Sequence, residues 1–222
     1  SIETTFNSEQ QSLGVGAFQN CVSLRSIDLP DSLTAIGPRA FANTGFEKFI
    51  LPKNVTALGT KYTSRGYSYY FGAVFRGCKS LQEFVFNDKV TEIYPDMFAG
   101  CTGIKSITIP RTITRIRDDA FLGCSSLSSI TFNGNLDGGD FLGRPYTMFL
   151  GDSTKYYQKA DDGEYVYTTG MITRLVIGPG VTKLNVQLRL PPMPLAEQVK
   201  LRELGIRSTH GGDAVPYRIE YR

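Results

Sequence analysis

The 222-residue sequence contains no tryptophan, one histidine and four cysteines, and no apolar run approaches the roughly 18 residues that a membrane-crossing helix needs. Each shortage removes a class of function. His210 has neither a second histidine nor a reactive cysteine beside it, so neither a nucleophile–base pair nor a His-rich metal site can be assembled. No Gly-Lys-Ser/Thr phosphate loop occurs, and Gly14-Val15-Gly16 lacks the rest of a dinucleotide fingerprint. Asp118-Asp119 and Asp161-Asp162 are sequence neighbours in turn-like segments, where Asp serves local hydrogen bonding. Asn133-Gly134-Asn135-Leu136-Asp137-Gly138 alternates oxygen ligands as a calcium loop does, but Arg144 stands where the bidentate glutamate is needed. Catalysis, a bound metal and a cofactor are therefore not expected. The net charge of +3 is small and comes with no run of Lys or Arg, which argues against nucleic acid. Apolar content of 41% with 20% charge is that of a folded chain, not a disordered one.

What the sequence does have is a repeat. Phe18, Phe41, Phe75, Phe98 and Phe121 are spaced by 23, 34, 23 and 23 residues, and 34 is one period plus an 11-residue insertion. Around them recur Gly16-Ala17-Phe18-Gln19-Asn20-Cys21, Ala40-Phe41-Ala42-Asn43-Thr44, Val74-Phe75-Arg76-Gly77-Cys78, Met97-Phe98-Ala99-Gly100-Cys101 and Ala120-Phe121-Leu122-Gly123-Cys124. A second phrase, Leu24-Arg25-Ser26-Ile27-Asp28-Leu29-Pro30, returns at 46–52, 81–86, 104–110 and 127–132 with apolar residues one, four and six. Its last two apolar positions alternate with variable ones, as in a strand with one buried face. Seven residues further on stands an apolar anchor (Ile36, Leu58, Ile93, Ile116), with Thr34, Thr56, Thr91 or Thr114 two places before it. A unit in the low twenties cannot bury its own apolar face and must stack on copies of itself, which makes the fold a solenoid. Each unit reads as a short strand, a turn, and an irregular or helical return holding the Ala-Phe pair. The cysteines Cys21, Cys78, Cys101 and Cys124 share one repeat position and are expected as a buried, reduced column.

The combined phrase I-G-x-x-A-F-x-x-C-x-S-L-x-x-I-x-L-P, carried from Leu13 to Asn133, resembles the leucine-rich repeats of BspA-like bacterial surface proteins. The match departs in the second unit, where Thr44 replaces Cys and one residue is missing, and in the third, where Thr60 to Tyr70 is extra. The resemblance implies a right-handed coil with a parallel sheet of short strands on one face. It also implies a place outside or on a bacterial cell, and adhesion to host or microbial proteins.

Beyond Asn133 the pattern lapses and returns. Ile172 to Ile177 has strand spacing with Leu184 as its anchor, and Val186 to Pro192 alternates. Leu201 to Ile206 has two readings, a last rung or part of a capping helix over Leu195–Leu204 begun at Pro194. The match to earlier rungs and Gly205, a poor interior helix residue, favour the strand. Phe6 lies seven residues before Leu13, so the chain is expected to begin inside a repeat, with Ser1 a cut edge. The whole is read as one leucine-rich-repeat domain over 1–222, with regular repeats over 13–133, insertions at 60–70 and 134–170, and irregular rungs and a cap over 171–222. A monomer of about eight rungs, on the order of 35–40 Å long, is expected from strand spacing.

Such an architecture offers binding. The outward positions of the strands are Ser26 and Asp28, Lys48 and Ile50, Glu83 and Val85, Ser106 and Thr108, Ser129 and Thr131, Arg174 and Val176. Ser and Thr there suit a solvated face, whereas the Lys48, Glu83 and Arg174 rungs with apolar neighbours suit a partner. The first insertion, Lys61 to Phe71, carries Tyr62, Arg65, Tyr67, Tyr69 and Tyr70, the residue types enriched at interface hot spots. The opposing reading lays these rings back over the solenoid flank. The second insertion alternates aromatics around Asp161-Asp162-Gly163 and is expected to be a β-hairpin. The candidate binding residues are thus Tyr62, Arg65, Tyr67, Tyr69, Tyr70, Asp28, Lys48, Glu83, Thr108 and Arg174, with a protein as the expected partner. A structural spacer within a longer surface protein and a carbohydrate-binding module are the other readings.

Overall fold

A computed structural model describes residues 11–137, 171–210 and 215–222. In chain order its elements are β1 (Ser12–Leu13), β2 (Ala35–Ile36), β3 (Lys48–Ile50), β4 (Ala57–Leu58), β5 (Thr60–Ser64), β6 (Tyr67–Phe71), β7 (Glu83–Val85) and β8 (Glu92–Ile93). They continue as β9 (Ser106–Ile109), β10 (Arg115–Ile116), β11 (Ser129–Phe132), β12 (Arg174–Ile177), β13 (Gln187–Leu190), α1 (Leu195–Glu203), β14 (Arg207–His210) and β15 (Arg218–Tyr221). The protein is the repeat solenoid that the period requires.

The core is a stack of like side chains. The rings of Phe18, Phe41, Phe75, Phe98 and Phe121 lie nearly parallel at centroid separations of 5.7, 5.6, 6.0 and 5.2 Å. The last four are fully buried, while Phe18 is half-buried. Two residues after each Phe the backbone turns into the left-handed region, at Asn20, Asn43, Gly77, Gly100 and Gly123 (φ between +57° and +74°). That explains why only Asn and Gly occur there, since they alone visit this region at little cost. The thiols of Cys78, Cys101 and Cys124 donate to the carbonyls of Phe41, Phe75 and Phe98 in the preceding unit, at 3.0–3.1 Å. Thr44, in the same column, donates its hydroxyl to Phe41 O at 2.9 Å. All four cysteines are free; three are buried and Cys21 is half-buried, and with Thr44 also buried the column is closed from the second unit onward.

Two ladders of parallel strands flank this core. The longer strands give β3–β7 and the four-stranded order β15-β12-β11-β9. One continuous sheet was the expectation; its two parts are separate in hydrogen bonding, and rung 24–30 is not a strand. The anchors form a second ladder that the sequence did not disclose, β1-β2-β4 and β8-β10, supported by threonines that bond the carbonyl one unit back (Thr34 to Gln11, Thr56 to Thr34, Thr114 to Thr91). This ladder breaks between β4 and β8, where the first insertion leaves the chain. In the third unit Asn87 replaces the turn proline, accepts from the amides of Lys89 and Val90, and donates to the carbonyls of Pro52 and Val55.

The strand reading of 201–206 is overturned. Leu195–Glu203 is helical, and the chain leaves it through a left-handed Gly205 (φ +77°). Gly205 N–H donates to Arg202 O and Ile206 N–H to Leu201 O, both at 2.9 Å, with Leu201 and Ile206 buried. The glycine taken as a poor interior residue is the helix's terminator. The following rung strands are β14 on β13 and β15 on β12, and His210 ends the first of them. Phe6, Arg144 and the second insertion's proposed hairpin lie outside the described residues. Within the calcium-like phrase, Asn135 Oδ1 accepts the backbone amides of Thr182 and Lys183, joining it to the next unit.

Candidate functional site

Two surfaces hold the residues singled out from the sequence, and they rest on different ladders. The first is the insertion. β5 and β6 form an antiparallel hairpin closed by Arg65 (φ +49°) and Gly66 (φ +81°), the two positive dihedrals of a tight two-residue turn. The pair Arg-Gly flanked by alternating aromatics could have disclosed this hairpin. Register places Lys61 opposite Tyr70, Tyr62 opposite Tyr69 and Thr60 opposite Phe71. Alternation along the strands then divides the rings between the two faces.

Tyr70 belongs to the inner face. The Arg117 guanidinium carbon lies 3.3 Å from its ring centroid, and Tyr94 meets it edge-on at 5.4 Å. Arg117 is buried and donates through Nε (3.1 Å) and Nη2 (2.7 Å) to Glu92 Oε2. Glu92 Oε1 lies 3.4 Å from Arg115. The anchor strands β8 and β10 thus supply a charged socket, and cation–π stacking seats Tyr70 upon it. The fold-back reading holds for this ring. Glu92 and Arg117 were missed in the sequence because they flank anchors, where charged residues pass for solvated ones.

The outer face is open. Tyr62, Tyr69 and Phe71 are 58%, 52% and 55% exposed, and the Tyr62 and Tyr69 rings lie 6.4 Å apart. Arg65 is exposed at the tip. Tyr67 pairs its backbone with Ser64. Three large rings on one side of a tethered hairpin are unusual for a surface with no partner.

The second surface is the outward face of the longer strands. Asp28 is exposed on a rung without strand structure. Lys48 and Glu83, which looked ill-suited to a solvated face, are register partners joined by a 2.9 Å ion pair. They satisfy each other, while Ile50 beside them is 62% exposed. Thr108 is exposed and stands in register with Thr131. Arg174 is half-buried and donates through Nε and Nη2 to Glu220 Oε1 at 3.2 and 2.9 Å. Val176, expected on the outward face, is buried between its register partners Thr131 and Glu220. The Tyr hairpin and this face are not brought together into one site. Among the described residues no group of three or more His, Cys, Asp or Glu converges to hold a metal. Among them, too, no helix is long and apolar enough to cross a membrane.

Residues 2–68 and 72–139 match the model of the BspA-type leucine-rich-repeat region, in six copies. The chain belongs to the BspA-type leucine-rich-repeat family. No curated protein matches it. Among solved structures it is similar to a leucine-rich repeat protein from Bacteroides ovatus, at 20% identity and a TM-score of 0.55, over 91% of this chain and 44% of that one. The chain therefore spans less than half the length of that protein, and the likeness is one of fold. A leucine-rich cell surface protein from Faecalibacterium prausnitzii matches at 26% identity over 55% of this chain and 51% of its own, with a TM-score of 0.26. The pneumococcal vaccine antigen PcpA matches at 13% identity over 92% and 69%, with a TM-score of 0.36. Both superpose too loosely to bear on the fold of this BspA-type chain.

Proposed function

We propose that this protein is a non-catalytic module that holds a protein partner outside or on the surface of a bacterial cell, with the Tyr62–Tyr69–Phe71 face of the hairpin as its main contact. Family membership supports the surface setting and the interaction role. The observation that carries the site is the hairpin's division of labour: Tyr70 is locked on Arg117, so the outer rings are presented on a fixed platform. Rigid aromatic anchors lose little conformational freedom on binding, which is why Tyr dominates interface hot spots.

The test begins with a screen of surface and matrix proteins. Against any ligand found, the double variant Tyr62→Ala/Tyr69→Ala should lose about 2–4 kcal/mol of binding free energy, the range of hot-spot truncations, at an unchanged melting temperature. Substitution is preferable to removing 61–71 outright, because excision would also strip Tyr70 from Arg117. Full affinity in the double variant would move the contact to the strand face. A screen without a ligand, repeated on the full-length protein, would favour the spacer reading.

A further inference from the structure

The chain's positive charge is not spread evenly. Residues 171–222 contain eight Lys or Arg against four Asp or Glu, a net of +4, whereas residues 1–170 contain sixteen against seventeen and stand at −1. The last strands of the longer ladder gather part of this excess. Glu220 on β15 accepts hydrogen bonds from Arg174 at 2.9 Å and from Arg222 at 2.8 Å, and pairs by charge with the Nε of Arg218 at 3.2 Å. The hydrogen bond from Arg222, followed by those from Arg174, holds the Glu220 carboxyl below the usual carboxylate range. One carboxylate therefore orients three guanidiniums and neutralises only one of them. Arg218 and Arg222 remain 74% and 58% exposed at the side chain, with their other N–H groups unspent on Glu220.

The cluster continues a row across the sheet. Ser106, Ser129, Arg174 and Arg218 are successive register partners on β9, β11, β12 and β15, and Arg174 Nη1 lies 3.4 Å from Ser129 Oγ. Hydroxyls and guanidiniums thus form one line of hydrogen-bond donors. Guanidinium forks match carboxylates in shape as well as in charge.

We propose that the Arg174–Arg218–Arg222 cluster binds a segment of the protein partner rich in aspartate and glutamate. This deepens the reading above, since it takes the partner to be a protein, and it places a second, charge-selective contact on a different ladder from the hairpin. Carboxylates of the segment pair with Arg218 and Arg222 while the serine row meets its backbone.

An oligo-glutamate peptide is a sufficient probe and requires no identified partner, so the result stands whatever the screen yields. Fluorescence anisotropy at about 0.01 and 0.1 M salt, where the Debye length falls from about 30 to about 10 Å, should show binding that weakens with salt. Arg218→Glu and Arg222→Glu should each weaken it about tenfold or more, as loss of a charge-assisted hydrogen bond with reversal of charge implies. Lys183→Glu makes the same change in net charge on the anchor side of its unit, where Lys183 is 61% exposed beside Asp137, and should leave affinity within about twofold. Arg222 lies outside β15, so its variant remains informative if Arg218→Glu detaches that strand. Equal weakening by Lys183→Glu, full affinity in both arginine variants, or no binding of oligo-glutamate at low salt would overturn the proposal. Binding of a sulfated dextran in place of oligo-glutamate would overturn it in favour of a glycan.

Discussion

At the scale of single residues, the phenylalanine column carries much of the stability. Phe98 stacks between Phe75 and Phe121 with both faces covered, so Phe98→Ala should cost about 3–5 kcal/mol. Phe18→Ala, at a half-buried position, should cost clearly less; equal small losses in chemical denaturation would refute the stacked column. The thiols make a second test. Burial pushes the Cys124 thiol up to about 12 and the Cys101 thiol well above its ordinary value, while hydrogen bonds with Cys101 and Thr44 bring Cys78 down to about 7. Cys78 is nonetheless fully buried, and reactivity needs an exposed thiolate. Native protein should consume about one equivalent of thiol reagent, at Cys21, and denatured unreduced protein about four; only two in the denatured sample would mean a disulfide. The columns were legible from the sequence because a side chain repeated at one period must occupy one place. The exposure of Cys21 was not, since equivalent positions differ in burial only once the rungs are stacked.

At the scale of elements, the hairpin and the socket under it behave as one unit. Arg117 is buried on Glu92, whereas Arg115, the other partner of that carboxylate, is half-buried. Glu92→Gln removes the charge that accepts both Arg117 hydrogen bonds and should cost about 2 kcal/mol, within the range for hydrogen bonds to charged groups. Arg115→Gln should cost under about 1 kcal/mol, since its 3.4 Å contact with Glu92 is long and solvent reaches the guanidinium. Thermal melts of the two variants should differ accordingly, and faster hydrogen exchange in β5 and β6 should accompany the first only. The tyrosines of this insertion marked it as a candidate site, but not which ring faces inward: that choice depends on Arg117, 47 residues beyond Tyr70 in the chain. Charge on the strand face was misread for a similar reason. Lys48 and Glu83 look like two oddities until register joins them. The helix α1 was lost to Gly205, whose role depends on whether it lies inside the element or just past its end.

At the scale of the whole molecule, the units that share an unbroken ladder and ring stack meet through like junctions, so their stability is close to a sum of unit and junction terms. The units from Phe98 to Phe132 are the most regular, with Ser106, Ile107, Thr108 and Ile109 aligned on Ser129, Ile130, Thr131 and Phe132. Their registers make them interchangeable parts. A second copy of residues 98–120 inserted before Phe121 presents the same faces to both neighbours, and it restores the 23-residue spacing between successive phenylalanines. The enlarged protein should fold, melt no lower than the parent, and gain about 4.8 Å in its longest dimension per added copy, the spacing of adjacent strands. Small-angle scattering reads that length directly, and a collapsed or aggregated product would show that the junctions are not equivalent. The distance between the aromatic hairpin and the arginine cluster is then an adjustable quantity: the protein is a ruler graduated in strand widths, and any ligand that must touch both marks will tolerate only certain lengths.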